Sequence, residues 1–241
     1  FVGLATLPMQ AADLAIGELE RAVKGLGLAG VEIGTNVNGV NLDSPEVFAV
    51  LEAASDLGAA VFVHPWEVVG RERMPKYWLP WLVGMPAETS LAICSLIFSG
   101  TLARLPDLRI AFAHGGGAFP ATIGRISHGF ESRPDLCAID SPINPREYLN
   151  RLVFDSLVHE PLMLRYMHDL VGAENIALGS DYPFPLGEAG PGVLIESAPF
   201  DDETKAQMLS GTASRWLGLD LAAISGYPDS HASDERTVPG A

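Results

Sequence analysis

Cysteine is scarce in this chain, and so is positive charge. The two cysteines, Cys94 and Cys137, stand far apart with no C-x-x-C spacing. That excludes a disulfide framework and reads as two thiols in a reducing, cytoplasmic compartment. Fifteen Lys and Arg face thirty Asp and Glu, for a net charge of −15 and a pI near 4.6. Such a balance argues against nucleic acid or an anionic membrane as partner. A small anionic substrate is still compatible, because a few local arginines can dominate a pocket. No basic leader or cleavage-like site precedes FVGLATLPMQ, so no secretory signal is visible. Long hydrophobic runs are also missing. The longest, Leu91 to Gly100, is too short to cross a bilayer and reads as a core helix. There is no G-x-S-x-G elbow, so the HGGG run at 114–117 does not read as a serine hydrolase's oxyanion segment. The first residue is Phe, not Met, and the expectation is a processed, trimmed or partial chain.

What is present is ordinary for a soluble α/β enzyme: 241 residues, 48% hydrophobic and 19% charged. Strand-like and helix-like segments alternate, which predicts a parallel sheet or barrel. Six strands are expected: Phe1 to Leu7, GVEIGT, AAVFVH, RIAFAH, RLVFDSL (Arg151 to Leu157) and NIALGSD. Helices are expected over Ala11 to Leu28, from the Ser44 cap to about Leu57, Ala87 to Leu105, Pro161 to Val171 and Asp201 to Leu217. A Trp-, Pro- and Met-rich insertion separates Pro65 from Pro86. The barrel is expected over 1–224, with a polar, disordered tail over 225–241. A complete (β/α)8 barrel has eight strands, so the missing pair should precede Phe1.

Three strands end in a residue able to bind a metal or move a proton: His64, His114 and Asp181. A (β/α) barrel builds its active site from such strand ends. Imidazole and carboxylate suit zinc, iron, cobalt or manganese, and His114 could serve as ligand or as general acid and base. Each residue alone has a plain alternative, a core histidine or a turn aspartate. Asp155 and His159 flank another strand end and read as structural. His128, His168 and His231 read as surface residues. Arg125 could grip a carboxylate or form a surface ion pair. Trp66, Trp78, Trp81 and Phe184 could wall a planar substrate or simply pack.

The stretches FVGLATLPMQ, VFVHPW, YWLPWLVGMPAET, FAHGGGAFPATIGRISHGF, RPDLC and LGSDYPFPLGE closely resemble the 2-amino-3-carboxymuconate-6-semialdehyde decarboxylase family of the amidohydrolase superfamily. The likeness runs from Phe1 to about Leu219. It implies a (β/α)8 barrel with about six of its strands in this chain, and one divalent metal, zinc for preference. It implies His64 and Asp181 as metal ligands, His114 as the catalytic acid and base, and Arg125, Trp78 and Phe184 as substrate-binding. Arg125 would reach across a homodimer interface. The implied reaction is non-oxidative decarboxylation of the semialdehyde to 2-aminomuconate-6-semialdehyde in tryptophan catabolism by the kynurenine route. One departure stands out. The family's first strand carries an H-x-H pair of further ligands, and no H-x-H occurs here. Two other readings follow: a related hydrolase, hydratase or aromatic-acid decarboxylase, and an inactive fragment that serves only as a dimer partner.

Overall fold

The computed structural model describes residues 1–219. The tail expected over 225–241, and with it His231, lies outside the described residues. Strands β1 (Leu4–Thr6), β2 (Gly30–Gly34), β5 (Ala60–His64), β6 (Arg109–Phe112), β7 (Val153–Asp155) and β8 (Ile176–Ala177) form one parallel sheet in that spatial order. Strands β3 (Asn36–Val37) and β4 (Val40–Asn41) make a separate antiparallel hairpin that the sequence reading did not foresee. The six-stranded parallel sheet matches the expected count, although each strand is shorter than its apolar run. Arg151 closes a 3₁₀ turn rather than opening β7. NIALGSD contributes only Ile176 and Ala177 to pairing.

The register explains which side chains go where. Gly34 pairs with His64, Val63 with Phe112, Phe112 with Phe154, and Phe154 with Ile176. Alternation along each strand sends Val31, Ile33, Val61, Val63, Ile110, Phe112, Phe154 and Ile176 into the main core. The opposite face carries Ala111, Val153 and Ala177, covered by Phe62 and Trp216. Trp216 also donates its indole N–H to the Arg109 carbonyl at 3.2 Å.

Helices α1 (Ala12–Glu20), α2 (Pro45–Asp56), α3 (Met85–Phe98), α4 (Thr101–Arg104), α5 (Phe119–Ser132), α6 (Pro134–Cys137), α7 (Pro161–Val171), α8 (Val193–Ser197), α9 (Asp202–Ala206) and α10 (Thr212–Leu217) connect the strands. Ser44 caps α2 as expected, accepting from the Val47 N–H. The helix expected over Ala87 to Leu105 differs in two ways. It starts earlier, as a wide turn from Pro80, and left-handed Gly100 divides it into α3 and α4. The run Pro80–Phe98 is therefore 19 residues at mean hydropathy 1.5, long and apolar enough by composition to cross a membrane. Its inner stripe, including Ala92, Ile93, Leu96 and Ile97, is instead buried in the core. His168 is not the surface residue expected. Its ring packs on Phe200 with centroids 4.6 Å apart.

Candidate metal centre and active site

His64 is the last residue of β5, His114 begins the turn after β6, and Asp181 lies beyond β8. Parallel strands side by side bring these ends to one rim of the sheet. Asp181 Oδ1 lies 3.8 Å from Nε2 of His64 and 3.8 Å from Nε2 of His114. The two rings meet edge to face, centroids 4.9 Å apart at 79°. One donor atom from each residue lies within 4.8 Å of the other two.

That spacing tests whether a metal fits. A separation of 3.8 Å is too long for a hydrogen bond. Two tetrahedral ligands about 2.1 Å from a shared ion lie about 3.4 Å apart. The three side chains therefore stand at ligand spacing rather than bonding spacing, and form a possible divalent metal site. Burial is the main force holding the His64 imidazolium below its usual range, and nearby His114 adds to it. Glu32, Asp181 and Asp155 act in the opposite direction. A depressed imidazole is neutral, which is the form that ligates.

The turn at His114 follows from its glycines. His114, Gly115, Gly116 and Gly117 all have positive φ, from 55° to 73°. A Cβ on Gly115 would strike Val158, one on Gly116 the Phe154 ring, and one on Gly117 the Pro86 backbone. Only glycine fits three successive positions that are both left-handed and crowded. Asp155 holds this turn. The side chain is buried at 8% exposure and accepts from the N–H groups of Gly115 at 2.8 Å and Leu157 at 3.0 Å. Burial pushes its carboxyl up from the ordinary range, and His114 and the N–H donors offset part of that. The expectation that Asp155 acts structurally agrees with this bonding.

Glu88 was missed in the sequence. It is 3% exposed, and its two oxygens accept from the Asn36 amide at 2.9 Å and the Val69 N–H at 2.7 Å. It thereby ties the β3–β4 hairpin and the loop after β5 to α3. That loop carries Trp66 and Trp78. Both line a cavity of about 430 Å³ above the three metal-spaced residues, together with Trp81, Phe184, Met85 and Met163. The structure thus brings Trp78 and Phe184 to the site. Arg125 is placed differently: it is exposed on α5 and outside the cavity lining. A second cavity of about 420 Å³ adjoins on the β1 side and shares His64 and Trp66.

Comparisons place this geometry in context. The amidohydrolase family model matches residues 1–219. A 2-amino-3-carboxymuconate-6-semialdehyde decarboxylase of Dictyostelium discoideum is 59% identical over 221 residues, covering 91% of this chain and 62% of the relative. Its Caenorhabditis elegans counterpart is 46% identical over 167 residues, covering 68% and 42%. The chain thus spans about 62% or less of the length of these relatives. Among solved structures, 5-carboxyvanillate decarboxylase of Sphingomonas paucimobilis superposes with a TM-score of 0.84 at 28% identity, covering 91% of this chain and 67% of that one. With a family match over all described residues, the chain belongs to the amidohydrolase family.

Proposed function

We propose that this chain carries the catalytic face of a metal-dependent carboxy-lyase acting on 2-amino-3-carboxymuconate-6-semialdehyde. The observation that carries the reading is the convergence of His64, His114 and Asp181 beneath an aromatic wall, in a chain 59% identical to the Dictyostelium decarboxylase. A bound divalent ion, zinc for preference, would supply Lewis acidity toward water and the substrate's oxygens. His64 and Asp181 would hold it. His114 would take a proton from a water molecule at Nε2 and deliver it to the substrate carbon that loses carbon dioxide. Trp78 and Phe184 would sandwich the conjugated plane and exclude water. Arg125, exposed and outside its own chain's cavity, would serve the site of a second copy in a homodimer. Two free cysteines fit a cytoplasmic setting.

Elemental analysis after exposure to zinc, followed by carbon dioxide release from the semialdehyde, tests this. About one ion per chain, lost in both His64→Ala and Asp181→Ala, is expected. Metal retained in both variants would overturn the ligand assignment. Turnover surviving in His114→Ala would overturn the proton-transfer role. The likeness to 5-carboxyvanillate decarboxylase favours a second reading, an aromatic acid as substrate. Preferential turnover of hydroxybenzoates in a substrate panel would establish it instead.

A further inference from the structure

His114 and Asp181 reach the rim from β6 and β8, which are not neighbours; β7 lies between them. The spacing of the two side chains therefore depends on how the end of β7 holds each flank. Asp155, its last residue, holds the His114 turn through the Gly115 N–H. The next residue, Ser156, serves the other flank.

The β7–β8 ladder pairs Phe154 with Ile176 and Asp155 with Ala177. Ser156 continues it by donating its N–H to the Ala177 carbonyl at 2.8 Å. In a regular parallel ladder such a residue receives the next bond on its own carbonyl, from the N–H two positions on. Here that donor is Gly179. The Ser156 carbonyl is turned instead to the Val158 N–H, at 2.9 Å, as the chain leaves β7. The Gly179 N–H is accepted by the Ser156 hydroxyl, at 3.3 Å. A side-chain oxygen thus supplies the rung that the backbone gives up. β7 bends away, and the chain beyond β8 is still tied to it two residues before Asp181.

The surroundings are built for this rung. Ser156 is 1% exposed, so a Gly179 N–H deprived of its hydroxyl has no ready replacement in solvent. Gly179 is pressed against Asp155: a Cβ there would lie 2.7 Å from the Asp155 Cβ, and glycine permits that approach. Asp181 itself has φ of 50°, a conformation that persists only where the surroundings impose it. On its near side stands the Ser156 rung. The Ser180 carbonyl, accepting from the Glu188 N–H at 2.9 Å, closes the loop that follows.

We propose that Ser156 is a positioning residue for the metal centre: its hydroxyl fixes the end of β8 against β7 and so sets Asp181 at ligand spacing from His64 and His114. Two successive residues then divide one task, Asp155 holding the His114 side and Ser156 the Asp181 side. This inference rests on the reading of the three residues as a metal site.

Cobalt(II) is the probe, because its visible absorption reports both how tightly and in what geometry the ion is held. Ser156→Ala is expected to bind cobalt(II) about tenfold more weakly, as when a group that orients a ligand is lost, and with a shifted spectrum. Thr101→Val is the control. It removes another buried hydroxyl, bonded to Ser99 in α4 and outside the cavity lining, and should leave affinity and spectrum as in the parent. Equal cobalt binding in Ser156→Ala and the parent would overturn the proposal. So would an equal loss in Thr101→Val, which would mark general loosening. Amide exchange at Gly179 in the parent chain reads the rung directly and should be slow. Exchange there as fast as from an unbonded amide would overturn the proposal even if Ser156→Ala failed to fold. Absence of cobalt binding in the parent, with Gly179 protected, would overturn the metal-site reading and the proposal with it.

Discussion

Two buried carboxylates frame the cavity, and they hold it in different ways. Asp155 works between neighbouring strands. It sits at the end of β7 and pins the adjacent turn that carries His114, 40 residues away in sequence, along with the start of its own loop. Glu88 works between a helix and two loops, joining segments 52 and 19 residues away in sequence. The first clamp fixes residues proposed to do chemistry. The second fixes the loop that bears Trp66 and Trp78, which shapes what can enter. Reaction and selectivity are thus anchored separately, and the two clamps should fail separately.

The largest effect is expected at Asp155. Asp155→Ala leaves two buried backbone N–H groups without an acceptor, and each orphan costs about 1–3 kcal/mol. A loss of about 3 kcal/mol in urea denaturation is expected, with loss of bound metal as the His114 turn relaxes. Asp155→Asn keeps one carbonyl oxygen and should cost roughly a third as much. A penalty for Asp155→Ala near zero would show that the glycine-rich turn holds itself.

Glu88 should come next. Glu88→Ala leaves the Val69 N–H without its acceptor and takes one of three acceptors from the Asn36 amide, which also donates to the Trp66 and Glu67 carbonyls; it should cost about 2 kcal/mol. Glu88→Gln sharpens the comparison. Both partners are donors, so a glutamine can satisfy one and must turn its own N–H₂ toward the other. It should therefore recover little. Metal content should be unchanged in both variants, while the affinity for isophthalate, a planar dicarboxylate whose binding is followed by quenching of the cavity's tryptophan fluorescence, falls about fivefold. If metal were lost as readily as in Asp155→Ala, the two clamps would be one unit.

The same contrast explains what could be read from the sequence. His64, His114 and Asp181 were legible because each ends an apolar run, and parallel strands bring such ends together. Local order of that kind survives in a linear text. The run of three glycines after His114 also signalled a close approach, although not that Pro86 and Phe154 would supply it. Glu88 left no such trace. In YWLPWLVGMPAET it reads as one more acid early in a helix, and only folding brings Asn36 and Val69 to it. The β3–β4 hairpin escaped because two-residue strands are too short to show alternation.

The smallest expected effect separates a loop's position from its surface. Trp78 lies on the loop tied down by Glu88, but it is itself 42% exposed, and among the aromatics of the described residues its ring meets only Trp81, 5.8 Å between centroids. Its φ of 59° is as strained for alanine as for tryptophan, so Trp78→Ala changes the side chain and leaves the backbone cost in place. Stability should move by less than about 1 kcal/mol, in line with partly exposed positions that carry no buried bond. Isophthalate and benzoate, its monocarboxylate counterpart, should weaken together, by about threefold, because an indole lining the cavity would meet the plane of a ligand rather than its carboxylates. That pattern differs from Glu88→Ala, which should also cost stability. A Trp78→Ala chain that lost as much stability as Glu88→Ala would mean that the indole is what holds the loop and that Glu88 only follows it.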